Sequence, residues 1–294
     1  SYIMGTFDLM ILIIITYYAA EAVWRERQLG VGDIVDSTAT ANWALYFPKV
    51  LALCLVMIIL LSIGISFTVL YQAGQGHTNF EPGVYFSILF INALIPFIMS
   101  CILSVFIQIL SPNKYFGMLL FVLYIILSVV LYNLGLEHNL WHFSSSPNAV
   151  YSDLNNYGFA STPALLYTLY WTGFTTILVV LGYGMYARGS EYGIKHRFSL
   201  LRMNLGWTGI STMMAGIVLF VGMGSYIYYQ TRVLNKFISE EELLQQQAAY
   251  EKSYKQYQNM VLPKITDVNL NVDIYPYQRK LEANGYYLIE NKSA

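Results

Sequence analysis

The chain has 294 residues, of which 56% are hydrophobic and 11% charged, and its mean hydropathy is +0.48. That balance excludes an ordinary soluble domain of this length, and a net charge of -1 gives no global attraction for nucleic acid or another polyanion. Its two cysteines, Cys54 and Cys101, both lie in apolar runs, which excludes a disulfide framework and leaves them as small packing residues.

Six apolar runs follow one another along the chain, at about 3–20, 47–70, 85–110, 115–135, 164–187 and 206–230. Each approaches or exceeds the roughly 20 residues that a helix needs to cross a hydrocarbon core of about 30 Å. The expected fold class is an all-α polytopic membrane protein with six transmembrane helices, an extracytoplasmic polar helix and a short C-terminal β segment. The first run has no initiator Met, basic leader or small-residue cleavage site before or after it, so it reads as a span rather than a signal peptide. On that reading the chain starts inside a longer protein.

Up to the sixth run the basic residues are Arg25, Arg27, Lys49, Lys114, Arg188, Lys195, Arg197 and Arg202. All fall in alternate connections, and the intervening loops 71–84 and 136–163 contain none. Basic loops are retained in the cytoplasm, so the first span is expected to run from outside to inside and the sixth to end outside. Everything after Gln230 is then extracytoplasmic, which long translocated segments allow regardless of their charge.

The first connection, 21–49, mixes Trp24, Leu29, Val31, Ile34 and Val35 with Arg25, Glu26, Arg27, Asp33 and Asp36. It is too polar to cross and too apolar to float free, and it is expected at the membrane surface or against a partner. The loop 136–163 is rich in Asn, Ser, Tyr and Gly, with Pro147 and Gly158 as breakers, and reads as an irregular cap with room for a re-entrant hairpin. Residues 231–263 contain strong helix formers, an acidic run at Glu240 to Glu242, and no Gly or Pro before Pro263, which predicts a helical stalk. Beyond it the period becomes two. Val268, Leu270, Val272 and Ile274 alternate with polar residues, and the turn-forming YPYQRK separates them from a second strand, LEANGYYLIEN. Two strands alone leave edges and an apolar face uncovered, so 264–294 is expected to open a larger sheet.

Catalytic signatures are few. There is no P-loop and no nucleophile elbow. His138 and His142 in HNLWH share an i, i+4 spacing, but Asn139 stands where a zinc peptidase places its general-base Glu, so they read as loop-packing histidines. Asp8 is the one acidic residue within a run and is expected near the outer end, reaching water. Asn92, Pro96, Ser100 and Ser104 form a three-to-four stripe expected to pack on a neighbouring helix.

Several motifs in order carry a resemblance across the chain. EAVWRER at 21–27, IVD at 34–36, NW at 42–43 and Lys49 opening the next run are similar to bacterial permeases of the ABC-2 exporter type. More narrowly, with GSYIYYQTRVLNKF at 224–237, YEKSYKQY at 250–257 and the strand pair at 268–293, the chain resembles fusions of such a permease to a zinc metallopeptidase of the aminopeptidase N family. The resemblance implies a coupling elbow that contacts a cytoplasmic ATP-binding subunit, mapping onto Glu21, Trp24, Arg25, Glu26, Arg27, Leu29, Ile34, Val35 and Asp36. It further implies a multi-pass location in the bacterial inner membrane, a missing permease half or second copy as partner, and residues 268–294 as the opening strands of the peptidase sheet. Zinc belongs only to the downstream peptidase, whose His-Glu-x-x-His helix is absent from this sequence, and ATP only to the partner subunit. No cofactor, metal or catalytic residue is therefore expected in this chain.

An ATP-driven exporter is the expected function. The alternative is a membrane anchor for a surface or periplasmic aminopeptidase, in which transport is degenerate. The mixed elbow favours transport, because an anchor does not need one. An ion-coupled secondary transporter fits less well, since neither midplane ionisable residues nor broken helices in related halves are visible.

Overall fold

The computed structural model describes residues 2–76, 80, 83, 93–147, 158–188, 194–235, 237–260, 263–275 and 280–291. Two compact units result, Ser1–Phe237 and Ile238–Ala294.

The first unit is helical, as apolar runs must be where no water is available to satisfy backbone N–H and C=O groups. In chain order its helices are α1 (Tyr2–Gln28), α2 (Gly32–Ser37), α3 (Asn42–Gly74), α4 (Ile95–Leu110), α5 (Lys114–Asn133), α6 (Gly158–Gly184), α7 (Ile194–Asn204) and α8 (Trp207–Tyr228), the last continued by a wider π turn, Tyr229–Leu234. Four segments are long and apolar enough to cross a membrane: Asn42–Gly74, Lys114–Asn133, Ser161–Gly184 and Trp207–Leu234. They match the expected second, fourth, fifth and sixth spans. By the same criterion the expected six become four among the described residues. The first span folds as α1, whose C-terminal turns carry the charges from Glu21 to Arg27, and the third is represented by the 16 residues of α4, residues 84–92 lying outside the described set.

The short helix α4 is the hub. It packs against α1, α3, α5 and α6, burying Phe97, Cys101, Ile102, Val105 and Ile109. Helix α1 meets it with a ridge repeating every four residues, Ile11, Ile15, Ala19 and Val23. Helix α3 contributes Val50, Leu53, Met57 and Leu61, while its other side leaves Leu51, Leu55, Ile63 and Phe67 exposed. Exposed apolar faces this long are suited to lipid rather than water. Asp8 is exposed, and Ser100 returns its hydroxyl proton to Pro96 O at 3.0 Å. Of the polar stripe on α4, Ser104 is fully buried and Asn92 lies outside the described residues.

A second apolar cluster joins α6 to α8, with Tyr167, Tyr170 and Trp171 packed on Ile227 and Phe220. The Tyr170 and Phe220 rings stack at 4.5 Å. The backbones meet at two glycines: a Cβ on Gly173 would stand 2.6 Å from Phe220 N and 2.9 Å from Gly216 O. Such close approach is how helices gain packing energy in lipid, where no hydrophobic drive holds them together.

The second unit holds α9 (Glu240–Tyr254), a single 3-10 turn at Lys255–Tyr257, and an antiparallel hairpin of β1 (Lys264–Tyr275) with β2 (Lys280–Glu290). The polar helix expected from 231 begins only at Glu240. Ser239 caps it by accepting from Glu242 N at 3.2 Å, and the acidic first turn favours the positive end of the helix dipole. In the hairpin Val268 faces Tyr287 and Val272 faces Ala283, and both strands are exposed throughout. The period-two run from Thr266 to Ile274 and the second strand candidate, LEANGYYLIEN, thus correspond to the two paired strands.

The glycine contact gives a direct test. Gly173→Leu is expected to lower the unfolding midpoint in detergent, by an overpacking cost of about 1–3 kcal/mol or more. Gly222→Ala, where the added Cβ meets nothing within 4 Å, is expected to be neutral or slightly stabilising.

Candidate functional site: the charged end of α1 and its elbow

The expected elbow begins at Glu21, where the apolar run stops. Instead α1 runs two further turns to Gln28 and ends in a Schellman motif. Gly30 adopts φ +71, Gly30 N donates to Arg27 O at 3.1 Å, and Val31 N donates to Glu26 O at 3.1 Å. Only glycine takes this left-handed position without strain, so Gly30 fixes where the chain leaves α1 and turns into α2.

In the charged turns Glu21, Trp24, Glu26 and Arg27 each meet a partner distant in sequence. Lys49, itself buried, reaches from α3 to Glu26 Oε1 at 2.8 Å and Ala22 O at 3.0 Å. Lys114, at the start of α5, bonds Glu21 and lies over the Tyr17 ring. This bond holds the Glu21 carboxyl below the usual carboxylate range, against partial desolvation that works the other way. Arg27 Nη2 donates to Ala187 O at 3.1 Å and its guanidinium covers the Trp24 ring. Trp24 is buried, and its indole N–H donates to Gln108 Oε1 of α4 at 3.0 Å. Gln108 is in turn pressed against Gly117 of α5, where any Cβ would collide with the amide.

The nine residues expected to form a coupling surface therefore divide. Glu21, Trp24, Glu26 and Arg27 face inward and lock α1 to α3, α4, α5 and the segment after α6. Arg25, Leu29 and Ile34 are exposed, and Val35 and Asp36 are half-buried. Leu29 and Ile34 are 66% and 67% exposed, and Val31 and Asp33 extend the same exposed tip. Sequence reading overlooked the hinge at Gly30, although a glycine directly after a last turn holding Arg25 and Arg27 is a helix-stop signal.

The other basic connections gather at this end. Arg188 donates to Thr38 O at 3.3 Å and also to Thr40 O, Asn42 Nδ2 donates to Asn204 Oδ1 at 3.3 Å, and the buried Arg197 donates to Ser111 O at 3.3 Å. Beside the elbow, a cleft of about 240 Å³ lies between α1 and α3, floored by Ala52, Leu53 and Val56 and rimmed by Glu21, Arg25 and Glu26.

His138 and His142 belong to the connection between α5 and α6, which after Asn133 is a series of turns up to Pro147. They do not share a helical face. Leu140 N donates to His138 Nδ1 at 3.2 Å, so the proton sits on Nε2, which donates to Thr231 Oγ1 at 3.0 Å. His142 Nε2 donates to Leu136 O at 2.5 Å and its Nδ1 pairs with Ser128 Oγ at 3.1 Å. All four ring nitrogens are occupied by hydrogen bonds. Among the described residues no group of three or more His, Cys, Asp or Glu is placed to hold a metal ion. The expected re-entrant hairpin falls largely on 148–157, outside the described residues.

No protein-family model, no curated protein and no solved structure matches this chain.

Burial, followed by the nearby Arg232, holds the His138 imidazole below its usual value of about 6.5. A depressed folded value means that His138 contributes its stability above the unfolded value and loses it as pH falls through the folded one. Acidification from about pH 7.5 to 5 is expected to lower the unfolding midpoint in detergent, and His138→Gln to flatten that dependence. An unchanged slope in the variant would contradict the assignment.

Proposed function

We propose that the chain is the membrane-spanning permease part of an ATP-driven exporter of the ABC-2 type. In this reading six spans cross the membrane, the α1–α2 elbow faces the cytoplasm and docks a separate ATP-binding subunit, and the second unit is the extracytoplasmic start of a metallopeptidase. One observation carries the reading. The elbow offers a small mixed tip, Arg25, Leu29, Val31, Asp33 and Ile34, on a root whose own charges are already spent within the bundle. A tip with two large exposed apolar side chains beside opposite charges is built to be covered by protein. Its rigid connection to α3, α4 and α5 lets a push on the elbow reach the spans as a body rather than dissipate in a loop.

The gathering of basic connections at the elbow end supports a cytoplasmic placement of that end, by the same asymmetry that the sequence displays. Residues 206–234 then lead outward to the second unit.

Affinity purification of the full-length protein from its own membranes tests the proposal. A subunit that hydrolyses ATP is expected to co-purify, and Leu29→Asp with Ile34→Asp is expected to reduce its recovery at least about tenfold, as loss of two central contacts does. Gln28→Ala, at the neighbouring exposed position, is expected to leave recovery intact. If no nucleotide-hydrolysing subunit is recovered with the native protein, the exporter reading fails and the helices serve as an anchor.

A further inference from the structure

The cleft between α1 and α3 changes character along its length. Its α1 wall runs from Tyr18 to Glu26, about 12 Å of helix, and its α3 wall from Ala52 to Val56. Arg25 and Glu26 stand at one end, with Glu21 one turn behind them. Lys49 reaches Glu26 at that end, so following α3 from Lys49 to Val56 leads away from the charges and into the apolar run 47–70. The basic connections gather at the same end, and α3 is long and apolar enough to cross a membrane. A charged mouth above an apolar floor is the profile of the boundary between lipid headgroups and acyl chains.

The charges at the mouth are unequally engaged. Glu26 gives Oε1 to Lys49 at 2.8 Å, yet its side chain is 38% exposed and its Oε2 accepts no hydrogen bond among the described residues. Glu21 is held by Lys114. Arg25 is exposed, and its guanidinium donates no hydrogen bond among the described residues. A fitting occupant brings an anion for Arg25, a cationic N–H donor for Glu26 and an apolar chain for the floor. A purely anionic head is disfavoured, because Glu21 and Glu26 both border the mouth. A quaternary ammonium supplies the charge but has no N–H to donate. At about 240 Å³ the cleft holds the head end and the first part of one chain, and the rest lies over the exposed Leu51 and Leu55 of α3.

We propose that this cleft binds one phospholipid carrying a primary ammonium, a phosphatidylethanolamine, with its phosphate on Arg25 and its ammonium on Glu26 Oε2. The planar guanidinium donates two parallel hydrogen bonds to phosphate oxygens. Arg25 also belongs to the elbow tip, one turn before Leu29, so the bound lipid borders the tip. The site does not rest on the exporter reading.

Native mass spectrometry of the full-length protein tests it, after delipidation in detergent and titration with phosphatidylethanolamine, phosphatidylcholine or phosphatidylglycerol of identical chains. One phosphatidylethanolamine is expected to bind saturably, and the other two at least about tenfold more weakly, the effect of one lost charge-assisted hydrogen bond. Arg25→Gln is expected to weaken phosphatidylethanolamine binding about tenfold with the unfolding midpoint in detergent unchanged, since the side chain is exposed. Ala52→Trp, at an exposed position in the cleft, is expected to abolish binding, and Arg232→Gln, at an exposed arginine outside it, to leave binding intact. Equal binding of the three lipids, a preference for phosphatidylglycerol, or binding unchanged in Arg25→Gln would overturn the proposal. So would a second copy or another subunit that fills the cleft, seen as a complex that Ala52→Trp dissociates. The titrations use protein free of any ATP-binding subunit, so their failure leaves the exporter proposal standing, and its failure leaves theirs.

Discussion

The structure depends on how α1 keeps its charges. Four of its last eight residues, Glu21, Trp24, Glu26 and Arg27, bond to groups on other parts of the helical bundle, the buried Lys49 among them. Lys49 and Lys114 arrive from two other helices to meet Glu26 and Glu21, and Trp24 and Arg27 reach Gln108 and the Ala187 carbonyl. Because the partners come from α3, α4, α5 and the segment after α6, these bonds set the mutual positions of the helices at one end. Apolar ridges fill the remaining length without specifying register so strictly, since a repeat such as Ile11, Ile15 and Ala19 would also fit one turn away.

That arrangement separates two roles that are adjacent in the sequence. The root of the elbow is held in the bundle and its tip is exposed, with Gly30 as the corner between them. A contact made at Leu29 and Ile34 is therefore made to the bundle rather than to a loose connection. The opposite end is organised by different chemistry. There His138 ties the turns after α5 to Thr231 in the π turn beyond α8, and the neutral imidazole suits a setting with Arg232 close by.

Much of this was legible from sequence. The period-two run from Val268 to Ile274 marks a strand because its alternation is local, and the hydrophobic runs mark helices because lipid permits little else. The end of α1 was not legible, since the solvation of Glu21 and Glu26 depends on lysines 93 and 23 residues away, and a chain read locally shows only charges ending a span. The histidine pair misleads for a related reason: i, i+4 spacing implies one face only on a helix, and Asn133 ends the helix before it. Gly173 and Gly216 each look like ordinary span glycines. Their meaning lies in a crossing that neither helix encodes alone.

Membrane sidedness is the most direct test of the account, because the elbow, the basic connections and the proposed partner all share one end. Ile34→Cys and Leu136→Cys place exposed thiols at opposite ends of the bundle, the native Cys101 being buried and Cys54 half-buried. With a membrane-impermeant maleimide, the account predicts labelling of the Leu136 position in intact cells and of the Ile34 position only in inverted vesicles. Labelling of Ile34→Cys from outside intact cells would contradict it.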